Sequence, residues 1–217
     1  MADPATARPL PRGPHKLTRD DVHASQRERM IDAMAGVVAK KGYLATTVGD
    51  VVAGAGVSRK TFYEHFADKE DCFLAAFDTG VHTLLDAIVS AEPAHPGRLA
   101  RMQARVRANL ETLADNPDFA RTFLIEVFAA GPRALERRAE VHARFQHLLR
   151  ELYEQTRREY PDLPAVPDPI WVAAVGALNE LVSQYVREGR TALLPELQDT
   201  LVYIQSALFA GPRAAGD

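Results

Sequence analysis

Apolar residues recur at three- and four-residue steps through the first part of the chain, between residues that cap or end helices. The first series predicts an amphipathic helix from Ser25 until Gly42, a glycine placed where helices commonly end. A second series predicts a short helix over Val48–Ala55, and Thr47 is placed to cap its amino terminus. Nowhere does the chain show the two-residue alternation of a strand over a useful length.

Longer helices follow. Asp68, with Asp71 three residues later, opens a fourth helix that carries a stripe of large apolar residues. Prolines and glycines then divide the chain into five more helical stretches, at residues 98–115, 117–130, 132–159, 169–188 and 195–209. The sequence therefore predicts an all-α fold of about nine helices, with short helices first and long ones after.

The segment from Thr47 to Phe73 combines two short helices with a tight turn. Gly56 tolerates the left-handed backbone of such a turn, and Ser58 is a good N-cap for a helix that ends near His65. After a longer supporting helix, this order is typical of a helix-turn-helix. Phe62 and Phe66 are four residues apart and share the inward face. Toward solvent this leaves Arg59, Lys60, Thr61 and Tyr63, side chains suited to a DNA major groove.

Composition and charge change this picture little. The 217 residues carry 26 Lys+Arg and 29 Asp+Glu, a net charge of −3, but residues 1–71 alone are slightly basic at 11 to 10. Apolar runs such as residues 171–178 are far shorter than the about 18 residues that a membrane span needs. One cysteine excludes an internal disulfide framework. With no secretory segment visible, we expect a cytoplasmic chain without a membrane anchor.

Residues 42–51, Gly-Tyr-Leu-Ala-Thr-Thr-Val-Gly-Asp-Val, and 55–70, Ala-Gly-Val-Ser-Arg-Lys-Thr-Phe-Tyr-Glu-His-Phe-Ala-Asp-Lys-Glu, carry a recognisable signature. They resemble the DNA-binding segment of TetR-type transcriptional regulators, and the likeness extends over about residues 25–75. Gly49 and Gly54 in the second helix and Cys72 in the fourth depart from the usual pattern. Residues 1–23 are rich in proline and poor in large apolar groups, which predicts a disordered arm. After it, the resemblance implies a helix-turn-helix domain at 24–71 and a larger helical domain at 72–217 for ligand binding and dimerisation.

The same resemblance implies roles for eight residues in DNA binding. Arg59 and Lys60 would read base edges together with Thr61, while Thr47 and Lys69 would hold phosphates. Tyr63 and His65 would contact the backbone or a thymine methyl. The full set is Thr47, Ser58, Arg59, Lys60, Thr61, Tyr63, His65 and Lys69. Four cations of the arm, Arg8, Arg12, Lys16 and Arg19, either contact DNA as well or belong to a solubilising tail.

Large residues on the predicted inward faces of the later helices are candidates for an effector pocket, although such stripes are more often plain core. They are Leu85, Met102, Val106, Phe123, Val127, Phe145, Leu149 and Trp171. They favour a small apolar or aromatic effector. The last two helices carry apolar stripes that either join a dimer, which we favour, or are consumed by the chain's own core. The stripe residues are Leu178, Val182, Tyr185, Leu197, Leu201, Ile204 and Leu208.

Other chemistry finds little support in the sequence. His142 and His147 are five residues apart and poorly placed for a shared metal, so neither a metal nor another cofactor is expected. Cys72 is either a reactive sensor or a core residue, and we favour the core. Glu126 and Asn179 either contact a ligand or, as we favour, reach a neighbouring helix or the surface. The resulting prediction is a non-enzymatic, ligand-responsive repressor that binds a palindromic operator as a homodimer. The alternatives are an architectural DNA-binding protein without a ligand and, with less support, a helical enzyme.

Overall fold

A computed structural model describes residues 18–91 and 97–210. Within these residues the chain forms nine α-helices, two 3₁₀ helices and no strand, so the predicted all-α fold is confirmed. The α-helices are α1 (Arg19–Lys41), α2 (Val48–Ala55), α3 (Arg59–His65), α4 (Lys69–Ser90), α5 (Arg98–Asp115), α6 (Pro117–Leu124), α7 (Pro132–Glu159), α8 (Asp168–Arg187) and α9 (Gln198–Ala210). The 3₁₀ helices are Glu126–Ala129 and Thr191–Leu197.

Helix α1 begins earlier than the apolar series indicates. Thr18 caps it in a reciprocal arrangement: its hydroxyl accepts from the Asp21 amide, and the Asp21 carboxylate accepts from the Thr18 amide. The helix therefore starts at Arg19 and not near Ser25, so the last residues of the predicted arm are helical. Residues 1–17 of that arm lie outside the described residues. Gly42, with φ 78°, ends the helix as predicted.

Two of the later helices differ from the prediction at their ends. The stretch predicted as one helix over residues 117–130 is divided, because α6 ends at Leu124 and a 3₁₀ turn, Glu126–Ala129, follows. The last helix begins at Gln198, three residues later than expected. Pro195 lies in the 3₁₀ segment before it, where its missing N–H cannot support an α-helical hydrogen bond.

The described chain forms two compact units. The first contains α1 to α3, α4 as far as His82, and residues 116–137. Its interior is built from fully buried side chains of α1, α3 and α4, among them Met30, Met34, Phe62, Phe73 and Phe77. Helix α6 packs on α1, and its Phe119 ring lies so close to Gly80 that a Cβ there would be 1.9 Å from the ring.

The second unit contains residues 83–115 and 138–217, of which those after residue 210 are not described. Helix α5 packs against α9 and the 3₁₀ segment Thr191–Leu197. An aromatic cluster of Tyr153, Trp171 and Phe209, with ring centroids 5.2–5.5 Å apart, forms part of its interior. The functional boundary predicted between residues 71 and 72 stays a prediction, while the packing places residues 116–137 with the N-terminal unit.

Helix α4 is long and apolar enough by composition to cross a membrane. Its large apolar residues Phe73, Phe77 and Val81 are fully buried inside the protein. Such burial is what the core helix of a water-soluble protein shows, so this helix is weak support for a membrane span.

Candidate nucleic-acid interface

Helix α2 starts at a capping box. The Thr47 hydroxyl accepts from the Asp50 amide at 3.2 Å and donates to the Asp50 carboxylate at 2.7 Å, while the Thr47 amide donates to the same carboxylate at 2.9 Å. Lys41 pairs with that carboxylate at 2.8 Å. The hydrogen bond from Lys41, followed by those from Thr47, lowers the pKa of Asp50 to about 2. The Thr47 hydroxyl is therefore engaged in capping, and its predicted phosphate contact stays a prediction.

The turn between α2 and α3 is fixed at both of its ends. Gly56 adopts the left-handed conformation, with φ 63° and ψ 41°, as the sequence predicts. The Arg29 guanidinium of α1 donates to the Ala55 carbonyl at 2.7 Å. This hydrogen bond satisfies a carbonyl at the end of α2 that has no partner within the helix, and it places a positive charge at the negative end of the helix dipole. The Ser58 hydroxyl accepts from the Thr61 amide at 3.0 Å and so begins α3.

Helix α3 has one buried and one exposed face. Phe62 is fully buried, Phe66 is nearly so, and their ring centroids are 5.6 Å apart, so both fill the interior as predicted. On the other face the Lys60 side chain is 88% exposed, and its ammonium is 4.0 Å from the Glu64 carboxylate. Tyr63 is 58% exposed. This seven-residue helix thus presents cations and a phenol to solvent on a backbone that its own aromatic side chains anchor.

Arg59, the first residue of α3, is exposed but lies along α2. A Cβ built on Gly49 would be 3.3 Å from the Arg59 guanidinium, tighter than most real Cβ contacts. Gly49, which departs from the usual pattern of the resembling family, therefore leaves room for the arginine.

His65, at the end of α3, lies against His23 of α1, with ring centroids 3.7 Å apart and the rings tilted by 32°. Burial, followed by the nearby His23 and Arg27, lowers the pKa of His65. Both of its ring nitrogens are buried without a hydrogen-bond partner among the described residues. Its predicted contact with DNA stays a prediction.

Lys69 opens α4 and is bound to the segment between α1 and α2. Its ammonium donates to the carbonyls of Tyr43 and Thr46 at 2.9 and 3.0 Å and lies 4.0 Å from the centre of the Tyr43 ring. Burial lowers the pKa of this lysine. Two of its three protons are therefore used inside the protein, and its predicted phosphate contact stays a prediction.

Several supporting residues escaped the sequence analysis. Arg29 and Lys41 are not among its candidates, and Tyr43 appears there only within the family signature. Their capping and cation–π contacts depend on how α1 lies against α2, which one-dimensional periodicity does not give. A basic residue facing an open helix end is the only signal that could have suggested Arg29.

The eight candidate effector residues divide between the two units. Phe123 and Val127 are buried in the N-terminal unit, and the other six lie in the C-terminal unit. Trp171 belongs to the aromatic cluster, against which Met102 and Leu149 pack. An open groove of about 480 Å³ lies instead between α4 and α7, and of the candidates it includes Leu85 alone. Its lining is completed by Val89, Glu140, Ala143, Arg144, His147 and Leu148.

The predicted interface residues are only partly free. Three of them are buried within the C-terminal unit, as expected if the stripes belong to the chain's own core: Val182, Leu197 and Leu201. Leu178, Tyr185, Ile204 and Leu208 remain half-buried. Tyr203, which is not among the predicted interface residues, is 75% exposed on α9. The dimer interface stays a prediction.

The polar residues considered for redox, metal or ligand chemistry lie at separate places in the structure. Cys72 is fully buried, its thiol faces the Met30 carbonyl, and burial raises its pKa to about 12. Burial lowers the pKa of His142 to about 4. Glu126 reaches the Tyr43 amide, and Asn179 is half-buried on α8. In the part of the chain that is described, no three metal-ligating side chains come together.

Comparison with known proteins bears on this arrangement. The family described as "Bacterial regulatory proteins, tetR family" matches residues 30–76. The transcriptional repressor KstR2 of Mycobacterium tuberculosis is 40% identical over 47 residues, which are 22% of this chain and 24% of KstR2. The chain spans between 24 and 43% of the length of the curated relatives that it matches.

Two solved structures extend the likeness over most of the chain. The fatty acid degradation regulator FadR from Bacillus halodurans gives a TM-score of 0.74 at 22% identity, over 87% of this chain and 96% of FadR. The FadR of Bacillus subtilis in complex with stearoyl-CoA gives 0.67 at 17% identity, over 86 and 99%. At these identities the likeness establishes the shared fold.

Proposed function

We propose that the chain is a ligand-responsive repressor of the tetR family of bacterial regulatory proteins, the family that residues 30–76 match. It would bind a palindromic operator as a homodimer in the cytoplasm and leave the DNA when a small effector binds. The observation that carries the proposal is the exposed face of α3, with Lys60 and Tyr63 open to solvent and Arg59 beside Gly49.

In this proposal α3 enters the major groove. Arg59 and Lys60 donate to base edges, with arginine suited to two parallel hydrogen bonds to guanine. Tyr63 packs beside them against the backbone or a thymine methyl. Ser58 and Thr61, whose hydroxyls lie at the exposed start of α3, would contact a phosphate. The exposed face of α3 is held in position by Thr47, His65 and Lys69. These three residues would also make any further contacts with the DNA backbone.

A second copy of the chain supplies the second reading helix. Half-exposed apolar residues of α8 and α9, together with Tyr203, form the surface that we assign to the dimer. Two α3 helices about 34–36 Å apart would meet successive major grooves on one face of DNA. An effector that favours another separation of these helices would release the operator, provided that it binds the two states unequally.

We assign an apolar effector, and two features support this class. The groove between α4 and α7 has an apolar lining from Leu85, Val89 and Leu148, with Arg144 and His147 also present. Its volume, about 480 Å³, lies within the range of small-molecule sites. The Bacillus subtilis regulator with the shared fold was crystallised with stearoyl-CoA, so long acyl thioesters are the first compounds to test.

Selection of bound duplexes from a random pool tests the proposal. We expect enrichment of an inverted repeat whose two halves are bound by two chains, with mass measured by sedimentation. Stearoyl-CoA or a related apolar compound should then release the duplex. Binding with no sequence preference would favour the architectural alternative, and a protein that ignores every duplex at low salt would refute both.

A further inference from the structure

The link between α1 and α2, residues 42–47, is held by charged side chains from two distant parts of the sequence. On one side the Lys69 ammonium binds the carbonyls of Tyr43 and Thr46. On the other side the Glu126 carboxylate accepts from the Tyr43 amide at 3.0 Å. Both backbone groups of Tyr43 are thus bound by side chains, one from the start of α4 and one from the 3₁₀ turn beyond the helix-turn-helix domain.

Glu126 is built into this position. Glu126 is only 9% exposed, and the carboxylate oxygen that does not bind Tyr43 lies 3.2 Å from the Arg121 guanidinium of α6. A Cβ on Gly42 would be 3.3 Å from the carboxylate, and Gly42 has φ 78°. Glycine at position 42 therefore serves two purposes: it ends α1, and it lets the carboxylate approach the Tyr43 amide.

The segment that carries Glu126 has little freedom of its own. Its neighbours Phe123, Leu124 and Val127 are buried, and the change from α6 to a 3₁₀ turn occurs at Ile125, directly before it. Because these side chains are packed, a displacement of the turn must move the carboxylate or break its bond to Tyr43. A buried amide that loses its partner is costly, so the link and the turn are expected to move together.

We propose that Glu126 is a positioning residue for DNA recognition, and that it couples the orientation of α2 and α3 to residues 117–130 through the Tyr43 amide. The inference rests on the proposed function. Thr47, at the end of the link, fixes the first turn of α2 through its capping box. The link therefore determines where α2 starts and, through the turn at Gly56, where α3 lies. Since coupling between two sites is reciprocal, DNA on α3 must in turn stabilise residues 117–130.

Hydrogen exchange with the selected operator duplex as the ligand tests this coupling without any effector. In the wild-type protein we expect the duplex to slow amide exchange at residues 42–47 and at 117–130. In Glu126→Ala the free protein should exchange the Tyr43 amide at least about tenfold faster. The same variant should bind the operator about tenfold more weakly. The duplex should still protect α3 but no longer residues 117–130.

Two further variants separate positioning from general damage. In Glu126→Gln the side-chain carbonyl still accepts from the Tyr43 amide, so protection of residues 117–130 should return and the affinity should lie within about threefold of wild type. Thr122→Val is the matched control, since its hydroxyl is buried on α6 without a partner among the described residues. It should behave as wild type in every readout.

The outcomes distinguish the inference from the proposed function. A wild-type protein that binds its operator without slowing exchange at residues 117–130 overturns the coupling alone. So does Glu126→Ala with wild-type protection, or an unchanged Tyr43 amide in that variant. A wild-type protein that binds no duplex overturns the proposed function. Should Glu126→Ala fail to fold, the wild-type and Glu126→Gln measurements still decide.

Discussion

Arg59→Ala is the substitution that most sharply separates base reading from general attraction to DNA. Arg59 is exposed at the start of α3, with its guanidinium near Gly49. No ion pair of this guanidinium is present among the described residues, so its removal should leave the folded protein almost unchanged. What it removes is the donor pair that we assign to a guanine.

The magnitude follows from the geometry of that pair. A good bidentate contact discriminates against the wrong base by about 1–3 kcal/mol. Since 1.4 kcal/mol is a factor of ten, each half-site should bind about 5- to 150-fold more weakly. A palindromic operator bound by a dimer loses this free energy twice. Binding to random DNA, which depends on phosphate contacts, should fall far less.

Fluorescence anisotropy with labelled duplexes measures both quantities at one stated salt concentration. Arg158→Ala is the matched control, since it removes one exposed positive charge at the far end of α7. We expect the control to bind as wild type, and Arg59→Ala to lose preference at one base pair of each half-site. Equal losses on operator and random DNA for Arg59→Ala would refute the assigned role.

Three further predictions concern the folded protein. Gly80→Ala places a Cβ against the Phe119 ring and should lower stability by about 1–3 kcal/mol, seen as a lower melting temperature, whereas Gly176→Ala, with open space around it, should not. The pKa of His142 lies at about 4 instead of 6.5, so between these pH values the unfolded chain binds a proton at this histidine and the folded chain does not. The free energy of unfolding should therefore fall as pH falls from 6.5 to 4, and less so in His142→Gln by denaturant titration. Cys72, with its pKa raised to about 12, should react with a thiol reagent at pH 8 only after unfolding, and rapid reaction of the native protein would contradict its burial.

The sequence predicts the helix-turn-helix well because its signals are local. Thr47, Ser58, Gly42 and Gly56 act within a few residues of the ends that they define, and the structure has those ends where expected. The inward faces of Phe62 and Phe66 follow from spacing alone. For these elements the local preference and the tertiary packing agree.

The rest depends on how helices pack. No proline or glycine lies where α6 ends at Leu124, so the sequence carries no signal for this break. The sequence does not indicate what the Glu126 side chain contacts. In the structure its carboxylate accepts from the Tyr43 amide and lies close to Gly42. Apolar periodicity likewise cannot separate the wall of a groove from the core, so the effector role of Trp171, which packs in an aromatic cluster, stays a prediction.

Photocrosslinking from α3 tests the central claim most directly. A photoreactive phenylalanine analogue would replace Tyr63, which is 58% exposed on α3, or Tyr203, which is 75% exposed on α9. With the selected operator, position 63 should crosslink to bases within each half-site, and position 203 should crosslink to a second copy of the chain and not to DNA. Crosslinks to DNA from position 203 with none from position 63 would contradict the account.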